Sequence, residues 1–401
     1  MTTGRRVMTG VLGALALAVV ALATDASEQA GDSGADRRVA AALARIATPP
    51  LGLPPVPVPA DNPPTPAKVA LGRKLFFDRR LSHNGTMSCA MCHIPEQGFT
   101  NNELARPVGI EGRSLRRNAP TLLNVAYVER LFHDGREIAL ETQVIGPLVE
   151  RSEMGNPSIG HVIARIRSLP DYAGLFERAF GASPSPDRIG QAIASYERTL
   201  LSGRSSFDHW YYGGEPSAVG PRAVEGFRLF TGKAGCVSCH TIGARHALFS
   251  DGAFHDTGIG YYNAVVRPRQ RTPVPVELAP GVIAQLPPEA VESVGDPEAA
   301  DLGRHEVTLV PADLWKFRTP TLRNVALTAP YMHDGSLRTL PDVVRFYNRG
   351  GQPHPGLDPR LRPLGLTETE MAALVEFLEA LTGTDVARLI EEAWTPGPPG
   401  N

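Results

Sequence analysis

The sequence predicts a mainly α protein made of two related units in tandem, and three observations lead there. In the clearest stretches apolar residues recur at helical rather than alternating spacing. One string occurs twice: Pro120-Thr-Leu-Leu-Asn124-Val-Ala126, running on to His133-Asp134-Gly135, returns as Pro320-Thr-Leu-Arg-Asn324-Val-Ala326, running on to His333-Asp334-Gly335 with the same gap. A Cys-x-x-Cys-His motif precedes each copy. Duplicated supersecondary units read as two copies of one domain. The length of 401 residues agrees with two or three domains at about 150 residues each.

In chain order, Arg5 and Arg6 are followed by an uncharged apolar run from Val7 to Ala23 ending in Ala21-Leu22-Ala23. That is the pattern of a signal peptide over residues 1–23. The alternative is a retained anchor, but the run is near the minimum for spanning and lacks a basic stop-transfer flank. The expected product is a periplasmic protein with no stable membrane span after cleavage. Residues 24–66 read as a Pro-rich disordered linker, densest in proline from Thr48 to Pro66, since proline removes amide donors and favours an extended spacer. Ordered structure is expected from about Ala67.

An N-terminal domain is expected over 67–212, a C-terminal domain over 213–385 and a tail over 386–401. The join should fall between Ser202 and Ala223, where Gly213-Gly214 and Pro216 interrupt the pattern. Ile189, Ile193, Tyr196 and Leu200 make one helical stripe, started by Ser185-Pro186. Leu340, Val343, Val344 and Tyr347 make another, stopped at Gly350-Gly351. Thr367-x-x-Glu370 is a capping box ahead of Met371, Leu374, Val375 and Leu378. No convincing run of alternating strands stands out. The second copy carries a long insertion from Thr241 to about Asp313.

Charge excludes one class of partner. With 40 basic against 42 acidic residues and no basic block, nothing points to nucleic acid.

All four cysteines fall in Cys89-Ala-Met-Cys92-His93 and Cys236-Val-Ser-Cys239-His240. C-x-x-C-H is the c-type haem attachment pattern. Two thiols take the vinyl groups of one porphyrin, and the histidine sits under the iron. Zinc and dithiol redox chemistry also use C-x-x-C. Here both copies keep the histidine, and no cysteine remains for a fourth zinc ligand or a disulfide. The expected cofactors are two covalently bound haem c groups, so the two units become cytochrome c-like haem domains in tandem.

From Ala67 to Gly383 the strings LGRKLFFDRRLSHNGTMSCAMCH, RRNAPTLLNVA, LFHDGR and FRTPTLRNVALTAPYMHDG occur in order. In these the chain resembles the bacterial di-haem cytochrome c peroxidase superfamily, and its MauG-like branch in particular. The resemblance implies two helical haem domains with a calcium ion between them. One haem reacts with hydrogen peroxide through a high-valent state, and the other handles electrons. The donor is a small protein, a cytochrome c or cupredoxin, or else a protein substrate whose side chains are oxidised, as in MauG. The rival reading is a non-catalytic di-haem electron carrier, which would want two strong ligands on both irons.

The resemblance also assigns residues. Cys89, Cys92 and His93 hold the peroxidatic haem, and Ile110 falls where the family places a distal histidine. No His, Met or Lys occurs between Ile94 and Phe132, so this iron is expected to be open; the alternative is a ligand arriving from elsewhere, such as His83 or Met154. Glu153 with Gln143 and Pro147 supplies the proton shuttle. Cys236, Cys239 and His240 hold the second haem. Its other axial ligand is sought among Met332, His333 and Tyr347, and Tyr347 stands where electron-transfer members carry methionine. A hard phenolate favours oxidised iron; on spacing alone Tyr347 reads as a core aromatic. His133 replaces the family's inter-haem tryptophan, and the only tryptophans are Trp210, Trp315 and Trp394. Asn118, Thr328 and Pro330 match the calcium ligands.

Overall fold

Helices α2 (Pro66–Phe77) and α4 (Pro186–Glu197) cross at the centre of the first half of the protein. In this computed structural model the described residues are 37–267, 273–287, 290 and 300–394. Each helix starts with a side-chain cap and a proline in its first turn, Thr65 for α2 and Ser185 for α4. Gly72 sets their separation, because a Cβ there would lie 1.9 Å from the Ala192 carbonyl oxygen. The second half repeats the device. Helix α5 (Pro221–Thr231) crosses α7 (Glu368–Glu379), and a Cβ on Gly226 would lie 2.0 Å from the Ala373 carbonyl oxygen. Shorter partners complete each half: α3 (Ile159–Ser168) in the first and α6 (Leu340–Asn348) in the second, the latter ended by Gly350 and Gly351 in left-handed conformations.

The buried side chains form two hydrophobic cores. Leu71, Leu75, Phe76, Ile189 and Ile193 lie in the first; Leu229, Phe230, Phe249, Leu374 and Phe377 lie in the second. The repeated strings fold alike in both halves. Asn124 and Asn324 sit at φ 63° and 61°, each opening a short 3-10 turn. Thr121 and Thr321 each donate a hydroxyl hydrogen bond of 2.6 Å, to the carbonyls of Gly98 and Leu248. The capping box of Thr367 and Glu370 and the stripe on α6 stand as the sequence predicts; on α4 the stripe holds to Tyr196, and Leu200 is buried past the helix end at Glu197.

The linker expectation is corrected. Residues 37–47 form helix α1, and the proline-rich stretch after it is packed, not free. Extended backbone leaves carbonyls unpaired, and side chains of the body take them: Tyr127 donates to Pro54, Arg198 to Pro57 and buried Arg323 to Gly52. Asn62 is fully buried, donating to the Glu141 carboxylate at 2.8 Å.

The tail expectation is corrected too. Helix α8 (Val386–Trp394) returns to the first core, burying Val386, Leu389 and Ala393 there, with Trp394 against Phe77. Leu200 packs in the first core and Phe207 in the second, so the change of core falls near Gly203, at the start of the expected interval from Ser202 to Ala223. Residues 1–36, with the expected signal peptide, and 395–401 lie outside the described residues. Among the described residues no helix is long and apolar enough to cross a membrane.

Strands do occur, against expectation. β1 (Phe254–His255) pairs antiparallel with β4 (Phe317–Arg318), and β2 (Val274–Ala279) pairs with β3 (Val282–Leu286). All four lie in or beside the insertion, where strands are short and Pro275 interrupts the alternation. The insertion also grips the first half. Arg117 bonds Asp301 at 2.7 Å, Arg116 pairs with Glu306, and Arg304 donates to the carbonyls of Asp134 and Gly135 at 2.8 Å.

Candidate functional site

The first half encloses a cavity of about 700 Å³. Cys89, Cys92 and His93 line it together with apolar Phe76, Leu122, Leu131, Leu140 and Leu148, and with Gln143, Pro147 and Glu153. Both thiols and the imidazole come from one tight turn, in which the His93 amide donates to the Cys89 carbonyl at 2.9 Å. The His93 ring is oriented by its own backbone. Nδ1–H donates to the Phe99 carbonyl at 3.2 Å, leaving the Nε2 lone pair for a metal. Burial keeps the ring neutral, lowering its pKa to about 4.

The second motif has the same geometry. The His240 amide donates to Cys236 at 2.9 Å, and His240 Nδ1–H donates to the Phe249 carbonyl at 2.8 Å. Phe99 and Phe249 hold φ of 55° and 52°, a region side chains with a Cβ seldom adopt, so the backbone is turned specifically to present those carbonyls. Sequence reading missed both residues, because Phe99 follows its histidine by six positions and Phe249 by nine. Their shared signal is a phenylalanine ahead of Thr100 or Ser250.

These residues suit haem c. None of the four cysteines is in a disulfide, all four are half-buried, and desolvation pushes the Cys89 and Cys92 thiols up to about 12. The cavity presents thiols, a neutral imidazole and apolar walls together. Cys239, Asp251 and His255 also approach one another, but Cys239 belongs to the second attachment motif.

Glu153 faces into the cavity. Burial first, and Glu150 next, raise its pKa to about 7 against the pull of Arg136. Such a group can both take and give a proton near neutral pH. Among described cavity-lining residues the only histidines are His93 and His133, and none is a lysine; the methionines are Met87 and Met154. His83 is not in the wall; its ring lies beside His161. Ile110 is buried outside the wall, packed near Gly155. One buried acid was missed by sequence: Glu197 lines the cavity, its Oε2 has no hydrogen-bond partner, and burial raises it to about 8. It sits at the end of the Ile189-Ile193 stripe, where helix periodicity could have found it.

Between the halves His133 donates Nε2–H to the Asn118 carbonyl at 2.9 Å, and burial with nearby Arg117 drops its pKa to about 3. Asn118 N–H in turn donates to the His333 carbonyl at 2.8 Å, and Phe317 stacks on His333 with centroids 3.6 Å apart. No tryptophan lines the cavity among the described residues. The Asn118 side-chain amide donates to Ala105, whose carbonyl also crowds Gly335; this brings Asn118 towards the loop that follows Thr328 and Pro330. Tyr347 projects from α6 towards the second motif. Burial raises its phenol pKa, and Cys236 and Cys239 raise it further. Met332, in a left-handed conformation, and His333 lie on the preceding turn.

With this geometry in hand, comparison with known proteins is direct. A family profile described as di-haem cytochrome c peroxidase matches residues 66–216. The cytochrome-c peroxidase IdrP1 of Denitromonas iodatirespirans is 40% identical over 382 residues, covering 92% of this chain and 93% of its own. The chain belongs to the di-haem cytochrome c peroxidase family. MauG of Methylorubrum extorquens is 39% identical over 334 residues, covering 83% of each chain. A solved MauG-like protein associated with microbial copper homeostasis superposes with a TM-score of 0.69 at 31% identity, over 84% of this chain and 96% of that one. The diheme peroxidase BthA of Burkholderia thailandensis gives 0.65 at 26% identity, over 88% and 98%. Membership makes the protein a helix-rich di-haem oxidoreductase of the MauG-like kind, and the family implies haem c as its cofactor.

Proposed function

We propose that this chain is a periplasmic, exported peroxidase that reduces hydrogen peroxide in the first cavity and draws electrons from an external donor protein. The observation that carries the reading is the pairing, in one cavity, of a C-x-x-C-H imidazole with Glu153, a carboxyl poised near neutrality. Haem bound at His93 would supply the electrons that cleave the O–O bond. Glu153 takes the proton from the near oxygen of peroxide and returns it to the departing oxygen, so that water leaves. Gln143 orients the peroxide by hydrogen bonding, and Pro147 covers the site against solvent.

At the His240 site Tyr347 would join His240 in holding the haem iron, and its phenolate oxygen, a hard donor, would favour the oxidised state. That choice supports oxidation of side chains on a partner protein, in the manner of MauG, over simple uptake from a small cytochrome or cupredoxin. His133, which stands at the tryptophan position, links the halves through Asn118 rather than through an oxidisable indole. Asn118 and the carbonyls of Thr328 and Pro330 would hold a calcium ion at this junction, since oxygen ligands of this kind suit Ca²⁺.

Spectroscopy of the ferric holoprotein tests the reading. One high-spin and one low-spin haem, with a new spectrum on adding peroxide, is the expected result. Two low-spin haems inert to peroxide would leave an electron carrier instead.

A further inference from the structure

The wall of the first cavity includes Arg113, Arg116, Arg117, Arg136 and Arg318, and their partners differ. Arg113 pairs with Glu111 at 3.1 Å, Arg116 with Glu306, Arg117 with Asp134 at 2.6 Å and Asp301 at 2.7 Å, and Arg136 with Asp134 at 3.0 Å. Arg318 has no carboxylate among the described residues. Its Nε donates to the Phe132 carbonyl at 3.3 Å and one Nη to its neighbour Thr319 at 3.2 Å. A guanidinium carries five N–H donors in a planar fork suited to carboxylates, so most of its capacity is unused. Burial alone pulls its pKa down to about 10, with no acid acting to restore it.

A half-buried cation that faces a cavity and lacks a carboxylate calls for an anion inside it. A c-type haem brings two propionate carboxylates, and the cavity already presents its thiols and imidazole on Cys89, Cys92 and His93. We propose that Arg318, delivered from the second half of the chain, binds a propionate of the haem in the first cavity. The assignment rests on haem occupying that cavity.

Two further observations support it. First, the internal repeat places Asn118 at the position equivalent to Arg318, counting from His133 and His333, so the first copy offers no guanidinium there. Second, the arginine is held from both sides. Its amide donates to the His133 carbonyl at 2.8 Å, and β4 carries it beside Phe317, which stacks on His333. A propionate bound there would tie the first haem to the backbone of the second half.

Arg318→Gln and Arg318→Lys in the full-length holoprotein test this. The readouts are haem content, the midpoint potential of each haem well above the carboxylic pH range, and the propionate bending band in resonance Raman spectra. Arg318→Gln should keep two haems, lower the first haem's potential because an uncompensated anion favours ferric iron, and shift its propionate band. The second haem should be unmoved, and Arg318→Lys should retain most of the potential while still shifting the band. Unchanged potential and band in a two-haem Arg318→Gln protein would overturn the proposal. So would a lysine variant displaced as far as the glutamine one. Should Arg318→Gln fail to accumulate, the lysine variant decides: a shifted band supports the anchor, and an unshifted one overturns it. A wild-type protein with no haem at Cys89 and Cys92 would instead be a failure of the haem reading.

Discussion

The amide of Ile110 donates to the carbonyl of Glu153 at 2.9 Å. The loop without a His, Met or Lys is therefore fastened to the turn that carries the acid, and the acid's position depends on that loop. Gly109 permits the contact, since a Cβ there would lie 1.9 Å from the Ser152 carbonyl oxygen. Glu153→Gln should keep both haems and slow reaction with peroxide by about 10²-fold, the range of a lost general acid–base group. The group acts first as a base and needs its carboxylate. The wild-type rate should then fall as pH drops below about 7, and that limb should vanish in the variant. Stopped-flow mixing with peroxide across pH checks both, and unchanged kinetics would remove Glu153 from the mechanism.

Tyr347→Phe removes the only oxygen of that side chain and leaves its packing against Phe346, an edge contact at 5.3 Å. One haem should change its visible and spin-resonance spectra while the protein stays folded. Identical spectra would show that Tyr347 is a packing residue of α6.

Arg323 and Asp208 form a fully buried bidentate pair at 2.9 Å, and Arg323 also reaches the Ala247 and Gly52 carbonyls. Asp208→Ala should destabilise the second half by about 3–5 kcal/mol, the cost of leaving a buried charge without its partner. Denaturant unfolding followed in the second haem's spectrum checks this. A loss below 1 kcal/mol would mean that water replaces the carboxylate.

Leu389 is 1% exposed although it lies beyond the last repeated element. Leu389→Ala should cost about 2–5 kcal/mol, as for other buried leucines. The loss should appear in the first half, whose core it joins, despite its place near the end of the chain. Thermal melts monitored at each haem would distinguish the halves.

Much of this was legible in the sequence because it is written locally. The C-x-x-C-H motifs, the caps at Ser185 and Thr367 and the apolar stripes each need only a few neighbouring residues. The duplicated strings carried the rest of the symmetry, since Asn124 and Asn324 adopt one conformation for one reason. What escaped depends on distant partners. Proline density at 48–66 speaks for extended backbone but says nothing of Tyr127, Arg198 and Arg323 waiting for its carbonyls. The segment after Gly383 looked like a tail because its apolar face meets a core closed more than 180 residues earlier. Arg318 and Glu197 carry no local mark, as burial beside a cavity is a property of the fold.

The two proximal imidazoles lean on peptide carbonyls, Phe99 and Phe249, where a carboxylate would have stood had the ring been meant to act as a near-imidazolate. A neutral acceptor draws the Nδ1 proton only partway, so the push either ring could give a bound iron would be moderate, and weaker from His93, whose bond is 3.2 Å against 2.8 Å at His240. With haem held at both motifs as proposed, whatever separates the two reactivities would have to come from the other side chains each site offers, Glu153 at one and Tyr347 at the other.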